Sequence, residues 1–185
     1  MEREMSLTVA ERLCELLRHL GIERAHVAAR GPMDWESFIA AHPEMISSLT
    51  LVCPGGLNKG VLGPISSRVL IFAPEQGAGT EGIRRSVASL PGATLVTFAD
   101  YSVSYTTDMV AERGEVISAA MTDHLGRIDR EEEGTAAPLE EGEGEVAGVS
   151  YRIQGSGPPL VLFPLGFAPS QWEPIVPQLA ERYST

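Results

Sequence analysis

Four histidines, two cysteines and a hydroxyl pair beside a carboxylate are the side chains of this 185-residue chain whose types could do chemistry. Acyl transfer needs a hydroxyl or thiol, an imidazole in reach to take its proton, and a carboxylate to orient that imidazole. Ser102 and Ser104 follow Asp100 closely, but no histidine is assigned beside them, and the segment reads as ordinary loop polarity. His19 and His124 lie near helix ends, where a cation favours the dipole. His26 stands at the start of a short strand, and His42 ends a helix before Pro43. Cys14 and Cys53 sit far apart in apolar settings and read as buried reduced thiols rather than a disulfide or metal site. The run Gly55-Gly56-Leu57-Asn58-Lys59-Gly60 fits neither a phosphate loop nor a dinucleotide fingerprint, and Lys59 reads as a surface residue. No cofactor or metal is expected, and no small-molecule ligand is indicated.

The elements that must hold these groups follow from patterning. Val9, Leu13, Leu16, Leu17 and Leu20 recur at helical spacing, with Thr8 and Glu11 as a capping box and Gly21 as the left-handed stop. A strand is predicted at 25–29, and then a helix carrying Trp35, Phe38 and Ile39. Strands follow at 48–53 and 68–73, a helix at 80–90, a strand at 94–98, and a helix at about 113–125 showing Val116, Ile117, Ala120 and Met121. Helices alternating with nearly continuous apolar strands predict an α/β fold, a mostly parallel sheet with helices on both faces. After an acidic stretch come strands at 149–153 and 159–163, and a helix from Ser170, with Glu173 as its capping partner, to Tyr183.

Composition divides the chain into a block at 1–127, an acidic flexible linker at 128–146 and a second block at 147–185. Of the net charge of −11, the stretch Glu131 to Glu145 holds seven glutamates and no lysine or arginine, leaving −4 for everything else. With no basic stripe, nucleic acid is not an expected partner. No apolar run reaches the roughly 18 to 20 residues of a membrane span, and Met1-Glu2-Arg3-Glu4 lacks the pattern of a secretion signal. The expectation is a cytoplasmic protein with no membrane partner.

Several segments, taken in spacing, resemble the α/β-hydrolase fold. Leu16-Leu17-Arg18-His19-Leu20-Gly21-Ile22-Glu23-Arg24-Ala25-His26-Val27 is similar to the helix and strand leading to that family's nucleophile elbow. Ala41-His42-Pro43-Glu44 with Ser48-Leu49-Thr50-Leu51-Val52 is similar to the next helix end and strand. Pro91-Gly92-Ala93-Thr94-Leu95-Val96 and Ala111-Glu112-Arg113-Gly114-Glu115-Val116 resemble its last strand and helix. Gly155-Ser156-Gly157-Pro158-Pro159-Leu160-Val161-Leu162 resembles its third strand. Pieces that open the family's fold thus follow pieces that close it, the order of a circular permutation or of the tail of one hydrolase-like unit joined to the head of another. The resemblance implies that the strand at Leu160 lies beside the strand at Val27, in cis or in trans. A 19-residue linker spans about 60 Å at about 3.3 Å per residue, so both are reachable.

The resemblance also implies where chemistry would sit. The elbow maps to Ala29-Arg30-Gly31-Pro32-Met33, so the serine position holds Gly31, and Pro32 has no N–H to give an oxyanion. The other donor region reads Pro164-Leu165-Gly166-Phe167. The acid position maps to Gly77, with Glu75 as the nearby carboxylate. The histidine position maps to Tyr101, a poor base near neutral pH. The 14 residues from Pro54 to Ser67, where the family inserts its lid, are too few and too glycine-rich to build one, so a core without a lid domain is expected.

These losses predict a catalytically inactive hydrolase-like domain with a structural, oligomerisation or regulatory role. One alternative is a serine-type ester hydrolase with a displaced site. A second is an N-terminal accessory region of a larger protein. Leu162-Phe163-Pro164-Leu165-Gly166-Phe167-Ala168-Pro169-Ser170-Gln171-Trp172 and the residues to Thr185 are similar to segments that precede a SAM-dependent methyltransferase domain in some bacterial multidomain proteins, although no methyl-donor motif is present. An incomplete sheet and a flexible linker favour a homodimer with exchanged C-terminal segments over a free monomer.

Overall fold

The first helix forms where its capping signals place it. In α1 (Val9–His19) the Glu11 N–H donates to the Thr8 hydroxyl at 3.3 Å and the Thr8 N–H to the Glu11 carboxylate at 2.7 Å. At the far end Gly21, with φ of 69°, lets its own N–H reach the Arg18 carbonyl while the Ile22 N–H reaches that of Leu17. This computed structural model describes residues 7–30, 35–77, 79–101, 109–131, 139–165 and 169–185. The chain continues through β1 (Ala25–Ala29), α2 (Trp35–Ala41), β2 (Ile46–Val52), α3 (Lys59–Leu62), β3 (Val69–Pro74), α4 (Thr80–Val87), β4 (Thr94–Phe98) and α5 (Met109–Glu131). It ends with β5 (Gly142–Val146), β6 (Val149–Ile153), β7 (Leu160–Leu162) and α6 (Val176–Ala180).

Five strands form one sheet in the order β4-β3-β2-β1-β7, every neighbouring pair parallel. β7 therefore lies beside β1 of the same chain, with Val161 opposite Val27. The three central strands are buried along their whole length, and they read as nearly continuous apolar runs interrupted by His26, Ser47, Ser48 and Thr50. Side-chain alternation divides the core in two. Val27, Leu49, Leu51, Val69 and Ile71 pack with Leu13, Leu17, Phe38, Ile39 and Ile83. Ala28, Val52, Leu70 and Phe72 pack on the other face with Met109, Ile117, Met121, Leu125, Trp172 and Leu179. Helices thus cover both faces, as the patterning predicts.

Several boundaries differ from the sequence reading. The acidic stretch begins later than residue 128, because α5 runs on to Glu131. Ile128 continues the face of Ile117, Met121 and Leu125 and is buried, and Arg127 pairs with Glu131 at 3.0 Å. That same face leaves Val116, half a turn off it, 50% exposed; Val9 also stays outside the core. The stretch ends sooner as well, since residues 142–146 form β5, paired antiparallel with β6. The two-residue turn between them puts both Ala147 (φ 53°) and Gly148 (φ 75°) in the left-handed region. Tyr151 lies over Gly144, its cross-strand partner, filling the space where a Cβ would stand. The hairpin is fastened to α1 by Arg12, which donates to the Ala147 carbonyl at 3.2 Å.

The helix expected from Ser170 to Tyr183 is instead a 3₁₀ turn (Pro169–Trp172) followed by the short α6. Pro174 and Pro177 explain the break, since each removes an N–H and Pro174 disfavours a helical Glu173. The helix expected over 80–90 closes at Val87, and Leu90 is buried in the turn after it. The stretch from Pro54 to Ser67 is a compact helical connection rather than an open loop: Asn58 caps α3, and Leu62 and Ile65 are buried.

Candidate functional site

Loops at the C-terminal ends of parallel strands are where an α/β sheet collects reactive groups. Of the positions expected to matter there, Gly31, Pro32, Ser102, Ser104, Gly166 and Phe167 lie outside the described residues. Gly77 is in the turn after β3, exposed, with φ of 132°. Glu75 is half-buried beside it, its carbonyl accepting from Arg84 at 3.2 Å. Tyr101 is buried in the α5-side core. Cys53 follows β2 with φ of 46°, and its thiol faces the Met109 sulfur at 3.5 Å. Burial pushes that thiol up to about 11, opposed in part by the Arg30 guanidinium, so it is a poor nucleophile near neutral pH. Arg30 itself reaches the Leu165 carbonyl at 3.5 Å.

All four histidines sit at the opposite end of the sheet. His19 closes α1 ahead of β1, and His42 follows α2 ahead of β2. His124 approaches the carbonyl of Arg68, the residue before β3, at 3.3 Å, and burial holds its imidazole below the ordinary histidine value. His26, the second residue of β1, is at the centre of a polar cluster.

His26 and Ser48 are register partners on adjacent strands, and both face α5. The His26 Nδ1 lies 2.8 Å from the Ser48 hydroxyl, and its Nε2 lies 2.9 Å from Asp129 Oδ1 on α5. Tyr183 donates its hydroxyl to the other Asp129 oxygen at 3.3 Å and presents its ring edge-on to His26, centroids 5.7 Å apart. Burial first, and then the Asp129 carboxylate, raise the Tyr183 phenol above its ordinary value. With Nε2–H donating to Asp129, a neutral His26 accepts from the Ser48 hydroxyl, which is the hydrogen-bond order of a nucleophile, base and orienting acid.

Access decides what this chain of bonds can do. Ser48 has no exposed surface and His26 has 1%, while the Asp129 side chain is 34% exposed. Ser48 lies within β2, at the position that pairs with His26 of β1. What the cluster does is join four separated stretches of chain. It locks α5 and the C-terminal segment to the two central strands.

Sequence reasoning missed this cluster. The signal for it is the pair of polar residues, His26 and Ser48, in otherwise apolar strands, but the acidic composition around Asp129 reads as a linker. Two residues beyond Ser48, Thr50 Oγ1 on the same face is buried without a hydrogen-bond partner among the described residues. Among those residues no group of three or more His, Cys, Asp or Glu is placed to hold a metal ion, and no helix is long and apolar enough to cross a membrane.

No family model matches the chain, and no curated protein matches it. Among solved structures it is similar to a hydrolase from Pseudomonas aeruginosa PA01, at 16% identity and a TM-score of 0.47, over 64% of this chain and 71% of that one.

Proposed function

We propose that this chain is a hydrolase-like α/β module without catalytic activity of its own, serving a structural or assembly role. One observation carries the reading: in the serine, histidine and aspartate that do come together, Ser48 and His26 are buried between sheet and helix and only Asp129 reaches solvent. Supporting it, Gly77 offers no carboxylate, and Tyr101 turns into the core. The position of β7 beside β1 suits a circularly permuted hydrolase core, since strands from opposite ends of the chain become neighbours. A homodimer formed by exchange of the C-terminal block belongs to the same proposal, with light scattering as its test and a compact monomer at high concentration as the contrary result.

The bonded order Ser48–His26–Asp129 is the observation that favours the second reading, a displaced ester hydrolase. A panel of short acyl esters, assayed with the purified protein and with Ala variants of Ser48, Ser102, Ser104 and Glu75, separates the two. The expected result is turnover equal to buffer for every protein. Turnover that one of these substitutions abolishes would establish the displaced site instead.

A further inference from the structure

An unpaired strand edge offers N–H and C=O groups to any other chain, and charged side chains along it are the ordinary guard against that. The five-stranded sheet ends at β4 and β7, and the hairpin presents β5. β5 is guarded by the exposed Glu143 and Glu145. At β7 the Leu160 N–H is taken by the Ser184 carbonyl at 2.8 Å. β4, which reads Thr94-Leu95-Val96-Thr97-Phe98, has neither device. Among the described residues it pairs with β3 alone, and no charged residue occurs from Ser86 to Ala99.

One bond fixes which backbone groups of β4 point outward. The Glu75 N–H donates to the Phe98 carbonyl at 3.0 Å, so Phe98 faces β3, and by alternation so do Val96 and Thr94. The N–H and C=O of Leu95 and Thr97 therefore point away from the sheet. Side chains leave this edge open on both faces. Leu95 packs toward the α4 side and Val96 toward the α5 side, each half-buried, while Thr94 and Thr97 are exposed.

We infer that the outer edge of β4 is a contact between two copies of this chain, joined antiparallel about a two-fold axis through Val96. The outward groups lie symmetrically about that residue. Leu95 donates its N–H to the Thr97 carbonyl of the second copy and accepts from that residue's N–H, and the axis repeats both bonds. Val96, whose own groups face β3, meets its copy as a non-hydrogen-bonded pair with Cα atoms about 4.5 Å apart. In this register the nearest charge, Asp100, falls toward Gly92 of the second copy, so no like charges meet along the joint. The acidic hairpin lies beyond β7, at the far end of the sheet. Nine spacings of about 4.8 Å put the two β7 strands about 43 Å apart, several screening lengths at physiological salt. The net charge of −11 therefore opposes the contact little. Four backbone bonds make a small joint, so the dimer depends on concentration. The contact rests on the assembly role proposed above and gives it a surface other than the exchanged C-terminal block.

Cysteine cross-linking tests it. In a Cys14→Ala, Cys53→Ala background, Val96→Cys is expected to give a disulfide-linked dimer under mild oxidant at least about tenfold faster than Thr94→Cys. Residue 96 meets its own copy, whereas the two residues 94 lie about 13 Å apart along the paired strands, too far to bridge. Thr94 is the more exposed of the two, so random collision predicts the opposite order. Equal rates, the reverse order or no cross-link in either variant overturn the proposal, even where light scattering still reports a dimer. The native chain supplies a reading free of any folding defect. Amide exchange at Leu95 and Thr97 is expected to slow by about tenfold as protein concentration rises about a hundredfold, each amide gaining a backbone partner. Exchange at both that is independent of concentration overturns the contact.

Discussion

At the N-terminal ends of the strands, His26, Ser48, Asp129 and Tyr183 interlock; at the C-terminal ends, Cys53 follows β2, Glu75 and Gly77 share the turn after β3, and Tyr101 follows β4. The first group has the residue types and order of acyl-transfer chemistry with no access. In the second only Gly77 and part of Glu75 reach solvent, Cys53 and Tyr101 are buried, and no imidazole lies there among the described residues. The contrast teaches that a hydrogen-bonded serine, histidine and aspartate are as good a clamp as a catalyst. In a dry interior, satisfied polar groups specify one packing, because leaving any of them unpaired is expensive.

Four experiments break or sharpen this contrast, the largest effect first. Cys53 is expected to react with a disulfide reagent at pH 8 about 100-fold or more slowly than an ordinary exposed thiol, since its thiol stands at about 11 and is buried; the reaction rate of a Cys14→Ala variant measures this, and rapid labelling would make the C-terminal end reactive after all. At the other end, His26→Ala is expected to cost about 3 kcal/mol in urea unfolding, from a lost buried ring, an unpaired Ser48 hydroxyl and a lost bond to Asp129. Ser48→Ala is expected to cost about 1 to 2 kcal/mol, because only the imidazole loses a partner.

The smallest effect concerns pH. Burial lowers the His124 imidazole, so the unfolded chain binds a proton that the folded chain resists. His124 therefore favours the folded state above the ordinary histidine value near 6.5, and that contribution is lost as pH falls below it. Unfolding free energies from pH 7.5 to 5 for the native chain and for His124→Gln are expected to diverge in this direction, the variant showing the shallower slope. Identical slopes would place the acid sensitivity elsewhere, with Arg127, His26 and Glu131 as the other charged or titratable groups around it.

Much of the architecture was legible in the residues. The Thr8–Glu11 box and Gly21 bounded α1, and apolar runs located the five sheet strands, because capping and burial are local demands. The β5–β6 turn was not legible, since Ala147 in a left-handed conformation carries no glycine signal. Nor was the full length of α5, where an acidic composition concealed the buried Ile128 and the bonded Asp129.

By itself, the sequence determined an α/β class, the capped start and glycine stop of α1, and that Gly31, Gly77 and Tyr101 stand at the positions the hydrolase resemblance singles out. Only the tertiary structure decided that His26, Ser48, Asp129 and Tyr183 meet, and that Ser184 bonds to Leu160 while Thr185 bonds to Gln154. The physical reason is range. Capping and periodicity act over a few residues, whereas these contacts join segments 22 to 103 residues apart that only the closed sheet brings into hydrogen-bonding distance.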